Sequence, residues 1–317
     1  MSLVTNLPHR FLLPMIRVRF LGTAAARPTV GRNVSAIAVQ REGESILWDC
    51  GEGTQRQIMR FGTGFSFSHI FITHCHADHF LGLPGLLRTM GLQGREERMH
   101  IFGPVGTGAT LGAAVGLGVE RLAFPVHIKS LKPGERVNFD GWAVRAFRTD
   151  HGVAALGYAL VEDARLGRFD VDAVRRLGIP EGPLYGKLHR GEAIELAGRV
   201  ISPDDVVGPP RPGRRVVYTG DTRPSGDTSR AAMGADLLIH EATFGTEEGK
   251  RARETRHSTA AEAARVAAEA EAKRLVLTHV SARYADAPKV LERQARDIFP
   301  ASRVAHDGLE IELGYHD

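Results

Sequence analysis

Cysteine is almost absent from this chain: Cys50 and Cys75 are the only two in 317 residues. They cannot build a disulfide framework, and a reducing, cytoplasmic location follows as the expectation. Long apolar runs are missing too. None approaches the roughly 20 residues that a spanning helix needs, so no membrane association is expected. The opening MSLVTNLPHRFLLPMI is a poor signal peptide, because Pro8, His9, Arg10 and Pro14 interrupt its apolar stretch. Residues 1–14 read instead as an N-terminal extension ahead of the first strand. No internal repeat or low-complexity tract occurs, which excludes a solenoid. Nor does one sign of charge dominate. A net charge of +4 with a pI of about 9.3 admits a polyanionic partner without demanding one.

Hydrophobic content of 43% and charged content of 25% suit a globular protein with a substantial core. Short β-type runs bounded by Gly, Pro or Asp recur at 16–21, 35–39, 45–49, 70–73, 143–147, 156–161, 215–219, 237–240 and 275–278. Helical periodicity marks 83–90, 106–117, 170–177, 259–272 and 288–298, and T-A-A-E at 259–262 is a capping box. Strands with interleaved helices, antiparallel at first, predict an α+β fold over 15–317: an αββα sandwich of two sheets with helices outside. Residues 162–214 differ, with GIPEGP at 178–183 and GPPRPG at 208–213. They read as an inserted, protruding arm holding one short helix and weak strands, with acidic and basic residues in near balance.

The chemistry concentrates in T-H-C-H-A-D-H at 73–79, directly after the apolar run 70–72. Alternation in an extended segment points His74 and His76 one way and Cys75 the other, so Cys75 is assigned to packing. Asp78 and His79 follow at a helix entrance and can address a second ion. Four later runs also end in ligand-type side chains: His151, Asp221, His240-Glu241 and His279. Donors at strand ends can converge on one rim of a sandwich. His74, His76 and His151 then serve one ion and Asp78, His79 and His279 another, with Asp221 free to bridge. The N/O-rich set suits two zinc ions per chain, with manganese possible. A lone histidine at a strand end is ordinarily a hydrogen-bonded rim residue, and Asp221 alone an ordinary turn residue. H-x-H-x-D-H with four strand-end partners is far more specific.

These motifs resemble a known family. H-C-H-A-D-H is the signature of the metallo-β-lactamase superfamily. F-L-G-T-A-A-A-R-P (20–28), D-C-G-E-G-T-Q (49–55), G-L-P-G-L-L (82–87), T-G-D-T-R (219–223), H-E-A-T-F (240–244), R-H-S-T (256–259) and L-T-H-V-S-A-R-Y (277–284) narrow it to the ribonuclease Z family. The resemblance runs from about Met15 almost to the C-terminus. It implies a di-zinc endoribonuclease that removes 3′ trailers from precursor tRNA, leaving a 3′-hydroxyl on the tRNA and a 5′-phosphate on the trailer. It also implies a homodimer, and an arm that grips the tRNA body. Within that arm Gly182 and Pro183 match the family's Gly-Pro stretch, and Lys187, His189 and Arg190 just beyond are candidate phosphate contacts, with a solvated turn as the plainer reading.

The resemblance assigns roles as well. Asp78 would hold metal through one oxygen and accept the attacking water's proton with the other. His257, protonated and held by Glu241, would relieve charge on the leaving 3′-oxygen. Ser258 and Thr259 would serve the helix N-terminus, while Lys250, Arg251, Arg253 and Arg256 could steer RNA. Many members carry P-x-K-x-R-N near the substrate's 3′ end. Arg32 and Asn33 fit that loop, but Val30 replaces its lysine, which bears on how CCA-containing precursors are treated. The alternative is a phosphodiesterase of the same fold acting on cyclic nucleotides or other small phosphodiesters.

Overall fold

The computed structural model describes residues 15–119 and 121–315; the expected extension at 1–14 lies outside the described residues. In chain order the strands are Ile16–Gly22 (β1), Ala36–Arg41 (β2), Glu44–Trp48 (β3), Phe67–Phe71 (β4), Met99–Pro104 (β5), Val126–Leu131 (β6), Arg136–Phe139 (β7), Trp142–Arg148 (β8), Leu156–Glu162 (β9), Ile194–Leu196 (β10), Arg199–Ile201 (β11), Arg215–Tyr218 (β12), Leu237–Glu241 (β13), Leu275–Thr278 (β14), Ser302–Val304 (β15) and Glu310–Leu313 (β16). Two seven-stranded sheets result, ordered β16-β1-β2-β3-β4-β5-β6 and β15-β14-β13-β12-β9-β8-β7. This is the expected α+β sandwich. The early strands β1, β2 and β3 are antiparallel as anticipated, whereas β3 through β6 run parallel.

Strand alternation sorts the first sheet's side chains into two layers. Leu47, Ile70 and Ile101 join Leu83, Leu86 and Leu87 of helix Leu83–Leu92 in one buried cluster. Trp48 and Phe71 take the opposite face, where Trp48 stacks on Tyr218 of β12 with centroids 5.8 Å apart and Phe71 meets Tyr158 of β9 at 5.3 Å. In the second sheet β12, β13, β14 and β15 are parallel. Leu237, Leu238 and Ile239 are fully buried in succession, as befits an interior parallel strand covered on both faces. Helix Ala260–Glu269 begins with the expected capping box, in which Thr259 and Glu262 satisfy each other's backbone donors. Ser258 departs from its expected part in that N-terminus, since its hydroxyl donates to Thr222 O at 2.6 Å.

Residues 138–143 and 161–214 form a compact unit of their own. It holds two short helices rather than the single one expected, Val171–Arg176 and Pro183–His189, together with the β10–β11 hairpin. The second was hidden by GIPEGP, which reads as loop punctuation. Gly182 turns the chain with φ of 140° and Pro183 starts the helix, where its missing N–H costs nothing. Lys187 and His189 are therefore helical, with Arg190 as the C-terminal cap, and not in a turn. Val174, Ile179, Leu188 and Ile194 belong to the unit's own small core. Its two chain ends are tied by a buried pair: Arg214 donates to Glu162 through Nε at 2.8 Å and Nη2 at 2.7 Å.

Candidate metal centre

The parallel strands deliver their C-terminal ends to one rim, and the candidate residues follow those ends. Thr73 to His76 continue from β4, Asp221 follows β12, Glu241 closes β13, and His279 follows β14 with φ of 55°. A left-handed non-glycine residue stores strain of about 1–3 kcal/mol and persists where its surroundings hold it. Gly220, at φ of 59°, lets the turn before Asp221 pass close to Thr73, whose Cβ would lie 2.8 Å from an added methyl.

Two donor groups form. His74 Nε2 lies 2.9 Å from His76 Nδ1, which lies 3.2 Å from His151 Nε2. Around the second group, His79 Nε2 is 3.3 Å from His279 Nε2, and Asp78 Oδ2 is 3.5 and 3.3 Å from those two nitrogens. Asp221 faces both: Oδ2 lies 3.6 Å from His74 Nε2 and 4.0 Å from His151 Nε2, while Oδ1 lies 3.4 Å from His79 and 3.3 Å from His279. Within His74/His76/His151/Asp221 and within Asp78/His79/His279 all donor atoms lie within 4.8 Å of one another.

This arrangement fits metal better than hydrogen bonding. Tetrahedral zinc with bonds of about 2.0–2.1 Å sets its ligands about 3.3–3.4 Å apart. Asp221 Oδ1 is buried and makes no hydrogen bond among the described residues. His79 is also surrounded by carboxylates. Burial would lower its pKa, yet Asp221, Asp49 and Asp78 draw it well above the ordinary imidazole value, marking a place that calls for positive charge. Burial, reinforced by neighbouring histidines, lowers His74 and His76 and keeps them in the neutral form that a ligand needs.

A second layer of contacts aims these rings. Asp49, directly after β3, bonds His79 Nδ1 at 2.7 Å and also accepts from Thr73 N at 2.7 Å and Tyr218 OH at 2.8 Å. Thr73 Oγ1 contacts His74 Nδ1 at 3.0 Å, Arg256 O takes His151 Nδ1 at 3.0 Å, and Thr243 Oγ1 meets His279 Nδ1 at 2.9 Å. Each contact fixes a tautomer and leaves Nε2 facing inward. Asp49, Thr73 and Thr243 escaped assignment from sequence. Their signal was membership of D-C-G-E-G-T-Q, T-H-C-H-A-D-H and H-E-A-T-F, at or just beyond the ends of β-type runs, which assigned them no role.

His257 stands beside the cluster, its Nδ1 2.8 Å from Glu241 Oε1. Burial would depress His257, but the Glu241 carboxylate and Asp221 overcome it and raise the ring to about 9. Burial likewise pushes Glu241 up, and His257 pulls it below the usual carboxylate range. Glu241 is further fixed by Thr222 N at 3.0 Å and Thr243 Oγ1 at 2.8 Å.

Arg32 turns inward. Its side chain is buried, and Nη1 donates to Thr23 Oγ1 at 2.7 Å and Ala305 O at 2.6 Å, so it braces the loop. Asn33 is held similarly, with Nδ2 donating to Glu52 O at 2.8 Å and its backbone N to Asp307 Oδ2 at 2.6 Å. Val30 is fully exposed. In the arm unit Gly182, Pro183, Lys187 and Arg190 are exposed, and Arg190 pairs with Glu192 at 3.0 Å.

Comparison with known proteins identifies the family. Residues 29–183 match the model of the metallo-beta-lactamase superfamily, and residues 198–280 that of a beta-lactamase superfamily domain. Ribonuclease Z of Gemmatimonas aurantiaca is 56% identical across 95% of this chain and 96% of its own. Its counterpart from Myxococcus xanthus is 53% identical across 96% and 100%. The crystal structure of the short form of human tRNase Z superposes with a TM-score of 0.67 at 30% identity, covering 93% of this chain and 98% of that one. YhfI from Bacillus subtilis, at 18% identity and a TM-score of 0.68 over 94% and 99% of the two chains, shares the fold. The chain belongs to the ribonuclease Z family of the metallo-β-lactamase superfamily.

Proposed function

We propose that this protein is a di-zinc endoribonuclease that removes 3′ trailers from precursor tRNA, leaving a 3′-hydroxyl on the tRNA and a 5′-phosphate on the trailer. The observation that carries the reading is the pair of donor groups sharing Asp221, with the His257–Glu241 pair alongside. The names of the relatives, ribonuclease Z and tRNase Z, supply the substrate class.

His74, His76 and His151 would hold one ion and Asp78, His79 and His279 the other, with Asp221 contributing an oxygen to each. Bound there, two zinc ions, or manganese in their place, supply Lewis acidity to a phosphate oxygen and lower the pKa of water. Asp78 Oδ2 accepts from Ala26 N at 2.8 Å and faces His79 and His279, which leaves Oδ1 to take the nucleophile's proton. Burial opposes its ionisation, but His79 and His279 keep it a carboxylate. His257 binds Glu241 through Nδ1, so Nε2 carries the available proton for the departing 3′-oxygen. The arm unit would grip the tRNA body, with Gly182 and Pro183 shaping it and Lys187 and Arg190 meeting phosphates.

A homodimer in the cytoplasm completes the proposal. The free thiols Cys50 and Cys75 support a reducing compartment.

The test is cleavage of end-labelled precursor tRNAs, with and without encoded CCA, by zinc-loaded and chelated protein. Zinc-dependent cutting just after the discriminator nucleotide of the CCA-less substrate is expected, and the second substrate reports what Val30 permits. Hydrolysis of small phosphodiesters with no cutting of either tRNA would sink the reading.

A further inference from the structure

Arg223 lies two residues beyond Asp221 and directs its guanidinium away from the donor groups. Nη1 donates to His257 O at 2.6 Å and to Glu262 Oε2 at 2.9 Å, and Nη2 donates to Glu262 Oε1 at 2.5 Å. Glu262 closes the capping box, accepting from Thr259 N at 2.9 Å. One side chain therefore grips the segment 257–262 twice, at the His257 carbonyl and at the first turn of the helix behind it. The backbone of Arg223 is tied in turn, since its N donates to Asp150 O at 2.8 Å.

The residue before His257 has anchors of its own, since Arg256 N donates to Arg253 O at 3.3 Å and its Nη1 to Asp150 Oδ1 at 2.9 Å. Arg256 has φ of 58°, a left-handed conformation that persists only when neighbouring structure holds it. Its carbonyl also takes the His151 Nδ1 contact. Two consecutive carbonyls thus have separate duties: that of Arg256 aims His151, and that of His257 is anchored by Arg223. Arg223 is no hook for substrate phosphate, because Glu262 matches its charge and the two side chains are only 16% and 18% exposed.

We propose that Arg223 is a positioning residue that places His257 for proton donation to the leaving oxygen, and that metal binding does not depend on it. The inference rests on the function proposed above.

Leaving-group dependence separates this role from a structural one. A ribose 3′-oxygen needs a proton as it departs, whereas p-nitrophenolate does not. Zinc-loaded wild type, Arg223→Ala and Arg223→Lys would be compared on CCA-less precursor tRNA and on bis(p-nitrophenyl) phosphate, with zinc content measured for each. Arg223→Ala is expected to lower kcat on RNA about 10–100-fold, with KM and ester hydrolysis within about twofold and zinc content unchanged. Arg223→Lys should fall between, and added guanidinium ion should restore part of the RNA turnover of Arg223→Ala. Equal losses on both substrates, or loss of zinc, would assign Arg223 to the scaffold and overturn the inference, as would unchanged RNA turnover. Should Arg223→Ala fail to fold, Arg223→Lys and Glu262→Gln make the same comparison. Wild type that hydrolyses the ester but cuts no precursor tRNA overturns the proposed function, and this inference with it.

Discussion

Asp49 Oδ2 sits 2.7 Å from His79 Nδ1, and the same oxygen accepts from Tyr218 OH at 2.8 Å while Oδ1 accepts from Thr73 N at 2.7 Å. The carboxylate holds the His79 proton on Nδ1 and so presents the Nε2 lone pair to the donor group. Asp49→Asn keeps the shape but not this logic. Its oxygen must serve Thr73, which turns the amide N–H toward His79 and forces the other tautomer. Zinc affinity of the Asp78/His79/His279 group should fall about 10–100-fold. A zinc titration with wild-type affinity for two ions per chain would refute this role.

Asp221 contributes one oxygen to each donor group, at 3.6 Å from His74 Nε2 and 3.3 Å from His279 Nε2. Its loss should therefore weaken both sites together, unlike loss of any single histidine. Asp221→Ala is expected to purify with well under two zinc ions per chain, measured by elemental analysis after dialysis. Retention of two would exclude the bridging role.

The donors were legible because His74, His76, His151, Asp221 and His279 follow β-type runs whose ends share a rim, while Asp78 and His79 complete the dense motif at a helix entrance. Asp49 was not legible as the orienting partner. Its contacts to Thr73 and Tyr218 span 24 and 169 residues, and no local pattern announces a pairing made by sheet stacking. Which ring nitrogen faces inward was equally hidden; His76 uses Nδ1 where its neighbours His74 and His151 use Nε2. The inward turn of Arg32 was hidden for a related reason. A match to P-x-K-x-R-N gives its position and not its direction, and the carbonyl of Ala305, distant in sequence, holds it inside.

A histidine remote from these clusters should contribute to acid sensitivity. His69 of β4 stacks on His100 of β5 with centroids 5.0 Å apart and on Phe102 at 5.9 Å. Burial first, then the charges of His100 and Arg95, lowers His69 to about 4. The unfolded chain takes up that proton near an ordinary value of about 6.5, so between these limits the native state binds fewer protons. The stability that depends on neutral His69 is thus present above about 6.5, and is lost as pH falls toward about 4. His69→Phe should flatten the dependence of the urea midpoint on pH across that window. Parallel curves for variant and wild type would rule the effect out.

His257 makes the sharpest pH prediction. Burial acts to lower its pKa, and the Glu241 carboxylate 2.8 Å away, helped by Asp221, reverses this to about 9. The imidazolium survives through neutral pH, and turnover that needs its proton should fall as pH rises through about 9. Glu241→Gln removes the charge while leaving burial in place, so the basic limb should move toward or below an ordinary imidazole value of about 6.5. The two oxygens of Glu241 accept separately from Thr222 N and Thr243 N, so the amide of the variant opposes one of these donors whichever way it turns, and a stability loss of about 1–3 kcal/mol should accompany it. His257→Ala should lower kcat on precursor tRNA about 10²–10⁴-fold while zinc stays at the wild-type level. Bis(p-nitrophenyl) phosphate serves as the internal control, because its leaving group needs no proton: its basic limb should stay put in Glu241→Gln. If the RNA and ester profiles shift together, His257 governs the metal centre and not the departing oxygen. If neither shifts, the Glu241 carboxylate has no part in holding the proton.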